Sequence, residues 1–192
     1  MKTGTRISGL QTREKAARIR LLLTDCDGVL TDAGVYYSAS GEALKRFSMR
    51  DGMGVERLRE LADVEVGIVT GENSPIVAAR AAKLQITRLH PGVKNKAGLL
   101  QTILTETGLE AAEVAFIGDD LNDAEVLKLV GLSACPSDAM PQIKALVDYC
   151  CQTPGGHGAF REFAEFIIDA KTKSASENPF VPDSQLQTPQ RV

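Results

Sequence analysis

Asp25 and Asp27 close an apolar run, LLLTDCD, and a second acidic group, Asp119, Asp120 and Asp123, closes another, VAFIGDDLND. Between them, Thr70 and Gly71 follow VEVGIV, and Lys96 opens the helix-like segment KAGLLQTILTETG. Two acidic clusters, a hydroxyl and a cation meet the needs of phosphoryl transfer from a monoester. A carboxylate can attack phosphorus and form an aspartyl-phosphate, which splits one hard displacement into two easier ones. A phosphate dianion repels such a nucleophile. Mg²⁺ held by oxygens of both clusters cancels that repulsion, while Lys96 and Thr70 bind the remaining phosphoryl oxygens. A second carboxyl group must protonate the leaving oxygen and later activate water. Asp27 is the candidate: residues two apart on a continuing strand share a face, and a turn there still leaves both carboxyl groups near each other. Gly28 permits a sharp exit and a close approach of backbone to ligand.

Residues of this kind need a scaffold that gathers strand ends. Near-continuous apolar runs alternate with helix-period segments along the chain, which predicts an open α/β fold: a Rossmann-like three-layer sandwich with a mainly parallel sheet covered on both faces. In such sheets ligands bind outside the carboxyl ends of the strands, where all three polar groups fall. Ser74 followed by Pro75 reads as a helix start, and Gly108 as the stop of the helix beginning near Lys96. Residues 34–48, GVYYSASGEALKRFS, break the rhythm and predict a β-hairpin, with Tyr36, Tyr37 and Phe47 flanking a Ser-Gly turn. The expected layout is a polar leader over 1–18, one domain over 19–170 and a mobile, proline-containing tail over 171–192.

Composition narrows the function classes. Lys and Arg total 22 against 25 Asp and Glu, a net charge of -3, and no basic stripe is present, which argues against nucleic acid as a partner. Cys26, Cys135, Cys150 and Cys151 lack C-x-x-C spacing and read as small buried hydrophobes in a reducing compartment. The N-terminus lacks the apolar core of a signal peptide and no run is long enough to span a bilayer, so the reading is a cytoplasmic protein with no membrane partner. DCDGVLTD lacks the third acid and the incoming helix of a calcium loop, and no P-loop pattern occurs. GDDLND could also serve only to cap the following helix, and Lys94 lies close enough to compete with Lys96.

DCDGVLTD, the threonine of TGE, Lys96 in GVKNK and GDDLND occur in an order that resembles the four motifs of the haloacid dehalogenase superfamily, in its Asp-nucleophile phosphatase branch. The narrower resemblance is to the capless phosphatases of 3-deoxy-D-manno-octulosonate 8-phosphate and their relatives acting on nine-carbon ulosonate 9-phosphates. It rests on the hairpin followed by GEALKRFSMRDGMGV, on RAAKL, on VGLSACPSDAMP and on GGHGAFREF. This resemblance implies Asp25 as nucleophile and metal ligand, Asp27 as general acid/base and ligand through its backbone carbonyl, and Asp119 as the remaining protein ligand of Mg²⁺. Thr70 and Lys96 match phosphate-binding positions. Ser48, Met49, Arg50, Asp51, Gly52 and Arg80 match substrate contacts. It also implies the absence of a large cap domain and a homotetramer whose hairpins meet at its centre, with Tyr36 and Tyr37 as interface candidates.

The chain departs from that pattern where Glu72 replaces an arginine, where Glu56 stands at a position open to a basic residue, and where His157 replaces Arg or Lys in the GG-x-G segment. Glu72 in the substrate set repels a sugar-acid carboxylate yet accepts hydrogen bonds from a polyhydroxylated chain. His157 reads either as a substrate contact or as part of a helix-entry loop. The expected activity is release of phosphate from 3-deoxy-D-manno-octulosonate 8-phosphate. The alternatives are a 2-keto-3-deoxy-nononate or N-acylneuraminate 9-phosphate, and an idle oligomerisation or regulatory module.

Overall fold

The computed structural model of the protein describes the backbone of residues 9–176 and side chains as far as residue 173. The chain runs α1 (Gly9–Ala17), β1 (Leu21–Thr24), β2 (Thr31–Ser38), β3 (Gly41–Phe47), α2 (Met49–Ala62), β4 (Glu65–Val69), α3 (Pro75–Lys83) and β5 (Arg88–His90). It continues with α4 (Lys96–Thr107), β6 (Val114–Ile117), α5 (Ala124–Leu129), β7 (Leu132–Cys135), α6 (Pro141–Lys144), β8 (Tyr149–Cys150) and α7 (Ala159–Ser176). Six strands form one sheet in the order β5-β4-β1-β6-β7-β8, every pairing parallel, and β2 and β3 form a separate antiparallel hairpin.

The central strands β1 and β6 are buried throughout, as strands covered on both faces must be. Alternate residues feed two cores. Leu22 and Ala115 join Val55 and Leu58 of α2, Val77 of α3 and Phe160, Phe163 and Ile167 of α7 on one face. Leu21, Leu23, Val114 and Phe116 join Leu100 and Ile103 of α4, Val126 of α5 and Ile143 of α6 on the other. These are the three layers expected from the alternation of elements.

Several boundaries differ from the sequence reading. The leader holds α1, whose Thr12 and Ala16 are buried and whose Arg13 and Lys15 pair with Asp169 and Asp148, each at 2.6 Å. Its sparse apolar content hides a helix fixed by charge pairing. Helix α7 runs on to Ser176, so residues 171–176 continue the helix where a tail was expected; the rest of that expected tail, 177–192, lies outside the described residues. The hairpin begins at Thr31, three residues early, and turns through Gly41 at φ +109°, a value that favours glycine. Gly108 closes α4 at φ +67°, as read. Ser74 precedes α3 with Pro75 in its first turn, but its hydroxyl makes no cap hydrogen bond and donates to Glu42 of the hairpin. Among the cysteines Cys26, Cys135 and Cys151 are buried, whereas Cys150 is exposed. No helix among the described residues is long and apolar enough to cross a membrane.

Candidate active site

The order of strands puts β1 between β4 and β6, so the chain reverses direction across the sheet beside β1. That switch point opens a crevice at the strands' carboxyl ends. Register aligns Thr24 with Ile68 and Ile117, so the residues that follow each strand emerge at one level. Asp25 still donates its backbone N–H to Ile117 O at 3.0 Å. The sheet therefore holds its Cα although the strand has ended.

Asp25 is buried; its Oδ1 accepts the Cys26 N–H at 2.7 Å and its Oδ2 lies 3.1 Å from Lys96 Nζ. Lys96, the first residue of α4, reaches across to Asp123 Oδ1 at 2.5 Å and sits over the Phe116 ring. Asp123 Oδ2 accepts the N–H groups of Asp119 at 3.0 Å and Asp120 at 3.4 Å. Both oxygens of Asp123 are thus engaged, in orienting Lys96 and in shaping the turn after β6. Asp119 differs: its Oδ1 is buried without a hydrogen-bond partner.

Carboxylate oxygens of Asp25, Asp119 and Asp123 lie within 4.8 Å of one another. Burial, then repulsion from Asp123, pushes Asp25 up to about 7 against the attraction of Lys96. Burial, then Asp25, Asp123 and Asp120, pushes Asp119 up to about 8. Burial opposes the charge on Lys96, but Asp25 and Asp123 outweigh it and hold the lysine above its usual value. One lysine for three close acids leaves a negative site, and an all-oxygen donor set suits a hard divalent cation. Asp25 and the unpartnered Asp119 are the side chains open to one.

Glycines let the walls close in. Gly28 has φ +88°, and a Cβ there would collide with the Asp119 carboxylate. A Cβ on Gly155 would collide with the Gly28 carbonyl, so the TPGGHG loop and the loop after β1 meet backbone to backbone. Gly156 N–H donates to Val29 O at 2.9 Å and Gly155 N–H to Asp138 Oδ1 at 2.9 Å.

Asp27 sits in a turn rather than on a continuing strand, so the shared-face argument does not apply. Its Oδ2 accepts from Lys45 Nζ at 2.7 Å and its Oδ1 from Thr31 Oγ1 at 3.2 Å. Lys45, on β3, has a side chain only 1% exposed and also lies 3.4 Å from Glu42 Oε2. Sequence reasoning missed it because a lysine on a projecting hairpin reads as solvated; only the docking of the hairpin beside β1 buries it. Asp123 was missed as a positioning group although GDDLND contains it.

Thr70 is buried beyond β4, with N–H to His90 O at 3.0 Å and Oγ1 accepting the Glu72 N–H at 3.2 Å. Lys94 is exposed and donates to Gly71 O, 3.8 Å from Glu72, so Lys96 alone of the two joins the acids. Glu72 itself is exposed. Ser48 caps α2 by accepting from Arg50 and Asp51 N–H, Met49 and Arg50 are exposed, and Arg80 donates to Ser48 O at 2.9 Å while stacking over Phe47. Gly52 leaves room for the Arg80 guanidinium, which a Cβ would crowd at 2.7 Å.

Asp51 points inward. Its Oδ1 accepts the Arg161 N–H at 2.9 Å near the start of α7, and burial raises its pKa. That oxygen caps the first turn of α7, while Oδ2 is buried without a hydrogen-bond partner. His157 joins the loop reading: its Nδ1 is 2.7 Å from Gly155 O and its Nε2 2.9 Å from Arg46, which also pairs with Asp32.

Comparison with known proteins agrees with this geometry. Residues 61–162 match the haloacid dehalogenase-like hydrolase family. The 3-deoxy-D-manno-octulosonate 8-phosphate phosphatase of Haemophilus influenzae is 38% identical over 163 residues, 85% of this chain and 90% of that protein. The Escherichia coli K12 enzyme of the same name is 41% identical over 159 residues, 83% of this chain and 84% of that protein. A Moraxella catarrhalis enzyme of that name, crystallised with a magnesium ion, a phosphate ion and a KDO molecule, superposes with a TM-score of 0.83 at 31% identity, covering 88% of this chain and 96% of that one. The chain therefore belongs to the haloacid dehalogenase-like hydrolases and, within them, to the family of 3-deoxy-D-manno-octulosonate 8-phosphate phosphatases.

Proposed function

We propose that this protein is a Mg²⁺-dependent phosphatase that releases inorganic phosphate from 3-deoxy-D-manno-octulosonate 8-phosphate. The observation that carries the reading is the buried Asp25–Lys96–Asp123 chain beside the unpartnered Asp119 oxygen, at the switch point of the sheet. Asp25 and Asp119 side chains, with the Asp27 backbone carbonyl, would hold the ion. When bound, the ion supplies the positive charge that lets a carboxylate approach a phosphate dianion. The H. influenzae and E. coli relatives, and the magnesium and KDO of the M. catarrhalis complex, support both cofactor and substrate.

Asp25 attacks phosphorus and forms an aspartyl-phosphate, and Asp27, oriented by Lys45 and Thr31, gives a proton to the leaving sugar oxygen. Asp27 then takes a proton from the water that hydrolyses the acyl phosphate. Lys96, held by Asp123, and Thr70 bind phosphoryl oxygens. Arg80 and the Ser48–Gly52 turn flank the sugar acid. Glu72, exposed at the position of an expected arginine, favours a second reading, a nine-carbon ulosonate 9-phosphate. An idle module has no use for a lysine buried among three acids.

The hairpin carries exposed Tyr36 (66%), Tyr37 (75%) and Leu44 (63%), with Tyr36 directly opposite Leu44. This apolar patch supports a homotetramer joined through hairpins, in which neighbouring subunits take the place of a cap. The cysteine usage fits a cytoplasmic enzyme.

The test is phosphate release with Mg²⁺ from eight- and nine-carbon substrates, with Asp25→Asn as control. The wild type turns over, with the eight-carbon substrate preferred, and the variant loses at least about 10³-fold. Equal rates in the two proteins would end the reading, and a nine-carbon preference would replace the substrate.

A further inference from the structure

Cys135 and Cys150 occupy directly opposed positions on the parallel strands β7 and β8. Adjacent strands lie about 4.8 Å apart, within the roughly 4.4–6.8 Å between Cα atoms that a disulfide spans. The faces agree as well. Leu132 and Ala134 of β7 face the core under α2 and α7, while Cys135 faces the other core, with Ile143 of α6. Tyr149, opposite Ala134, packs on the first face, so Cys150 shares the second with Cys135. Cys151 falls on the first face, its Sγ directed at Ala159 O at 3.5 Å.

The two thiols differ in access. Cys150 is exposed and Cys135 fully buried. Burial, followed by the neighbouring Cys150, raises the Cys135 pKa and keeps that thiol protonated, while the Lys144 ammonium of α6 opposes the rise. An oxidant therefore meets Cys150 first, with a resolving thiol directly across the ladder.

We propose that Cys150 and Cys135 form a reversible peroxide-reactive site, Cys150 as the attacking and Cys135 as the resolving thiol. Cys150 sulfur, as thiolate, attacks one oxygen of hydrogen peroxide; the O–O bond breaks, and water leaves with the proton that Cys150 gave up. The product is a Cys150 sulfenic acid. Cys135 sulfur then attacks Cys150 sulfur, the S–O bond breaks, and the departing hydroxide takes the Cys135 proton as a second water. Two thiols are oxidised by two electrons and one peroxide is reduced. Attack by a small thiol, through a mixed disulfide, reduces the bridge again.

The experiment treats the full-length protein with a slight excess of hydrogen peroxide, without reductant, and follows intact mass and peptide maps. The expected result is loss of the mass of two hydrogens, a Cys135–Cys150 linked peptide, and return to the starting mass with dithiothreitol. Cys150→Ser, an exposed change, abolishes the link. Cys151→Ala leaves it in place. Cys135→Ala, checked for folding by its melting temperature before oxidation, accumulates Cys150 sulfinic acid. A link between Cys150 and Cys151, disulfide-joined dimers, or sulfinic acid on Cys150 in the unaltered protein overturns the proposal.

Discussion

Asp25 and Asp119 are pushed up to about 7 and about 8 by burial and by neighbouring carboxylates (Asp123 beside Asp25; Asp25, Asp123 and Asp120 beside Asp119), far above the 3.8 of a free aspartate. The folded state therefore binds more protons than the unfolded chain between those values, and stability falls as pH rises through that window. Bound Mg²⁺ favours the charged carboxylates and reverses the penalty. Melting temperature of the metal-free protein should drop from pH 5 to pH 8.5, with the increment from millimolar Mg²⁺ growing over the same range. An increment independent of pH would contradict the assignment of these two acids. The acids, Thr70 and Lys96 were legible because each follows an apolar strand in an ordered set. Lys45 was not, since its burial depends on a hairpin folding back over 18 residues onto Asp27. Nor was the burial of Asp51 legible, since it depends on the arrival of α7, whose Arg161 N–H its Oδ1 accepts.

At the level of elements, the loop after β1 and the loop before α7 touch without side chains between them, and Gly155 is the residue that allows it. Gly155→Ala should displace Gly28 from Asp119, destabilise the fold by about 2 kcal/mol and lower phosphate release beyond what the lost stability explains. Thermal melts and kcat at matched folded fraction check both parts; normal kcat would show that this contact leaves the acids undisturbed. Strands and most helices were legible from period and turn residues, because local pattern and packing agree there. Helix α1 was hidden by its charge. There a side-chain partner elsewhere in the chain fixes what local apolar content does not announce.

At the level of the whole molecule, the proposed assembly rests on the hairpin, whose Tyr36, Tyr37 and Leu44 leave an apolar surface exposed on one subunit. Replacing both tyrosines by serine should reduce the particle measured by light scattering toward a single chain and weaken substrate binding, with the fold intact by circular dichroism. An unchanged particle mass would remove the hairpin from the interface. The sequence resemblance implied this role, and the pattern of exposure now gives it a surface. The central sheet ends in β5 and β8, of three and two residues. Stubs that short give a foreign strand almost nothing to zip onto, which blunts both edges of the main sheet against fibril-like growth. Among the described residues the open ladder of the hairpin is where misassembly under heat or crowding would begin, and shielding that ribbon inside the proposed oligomer would guard against it.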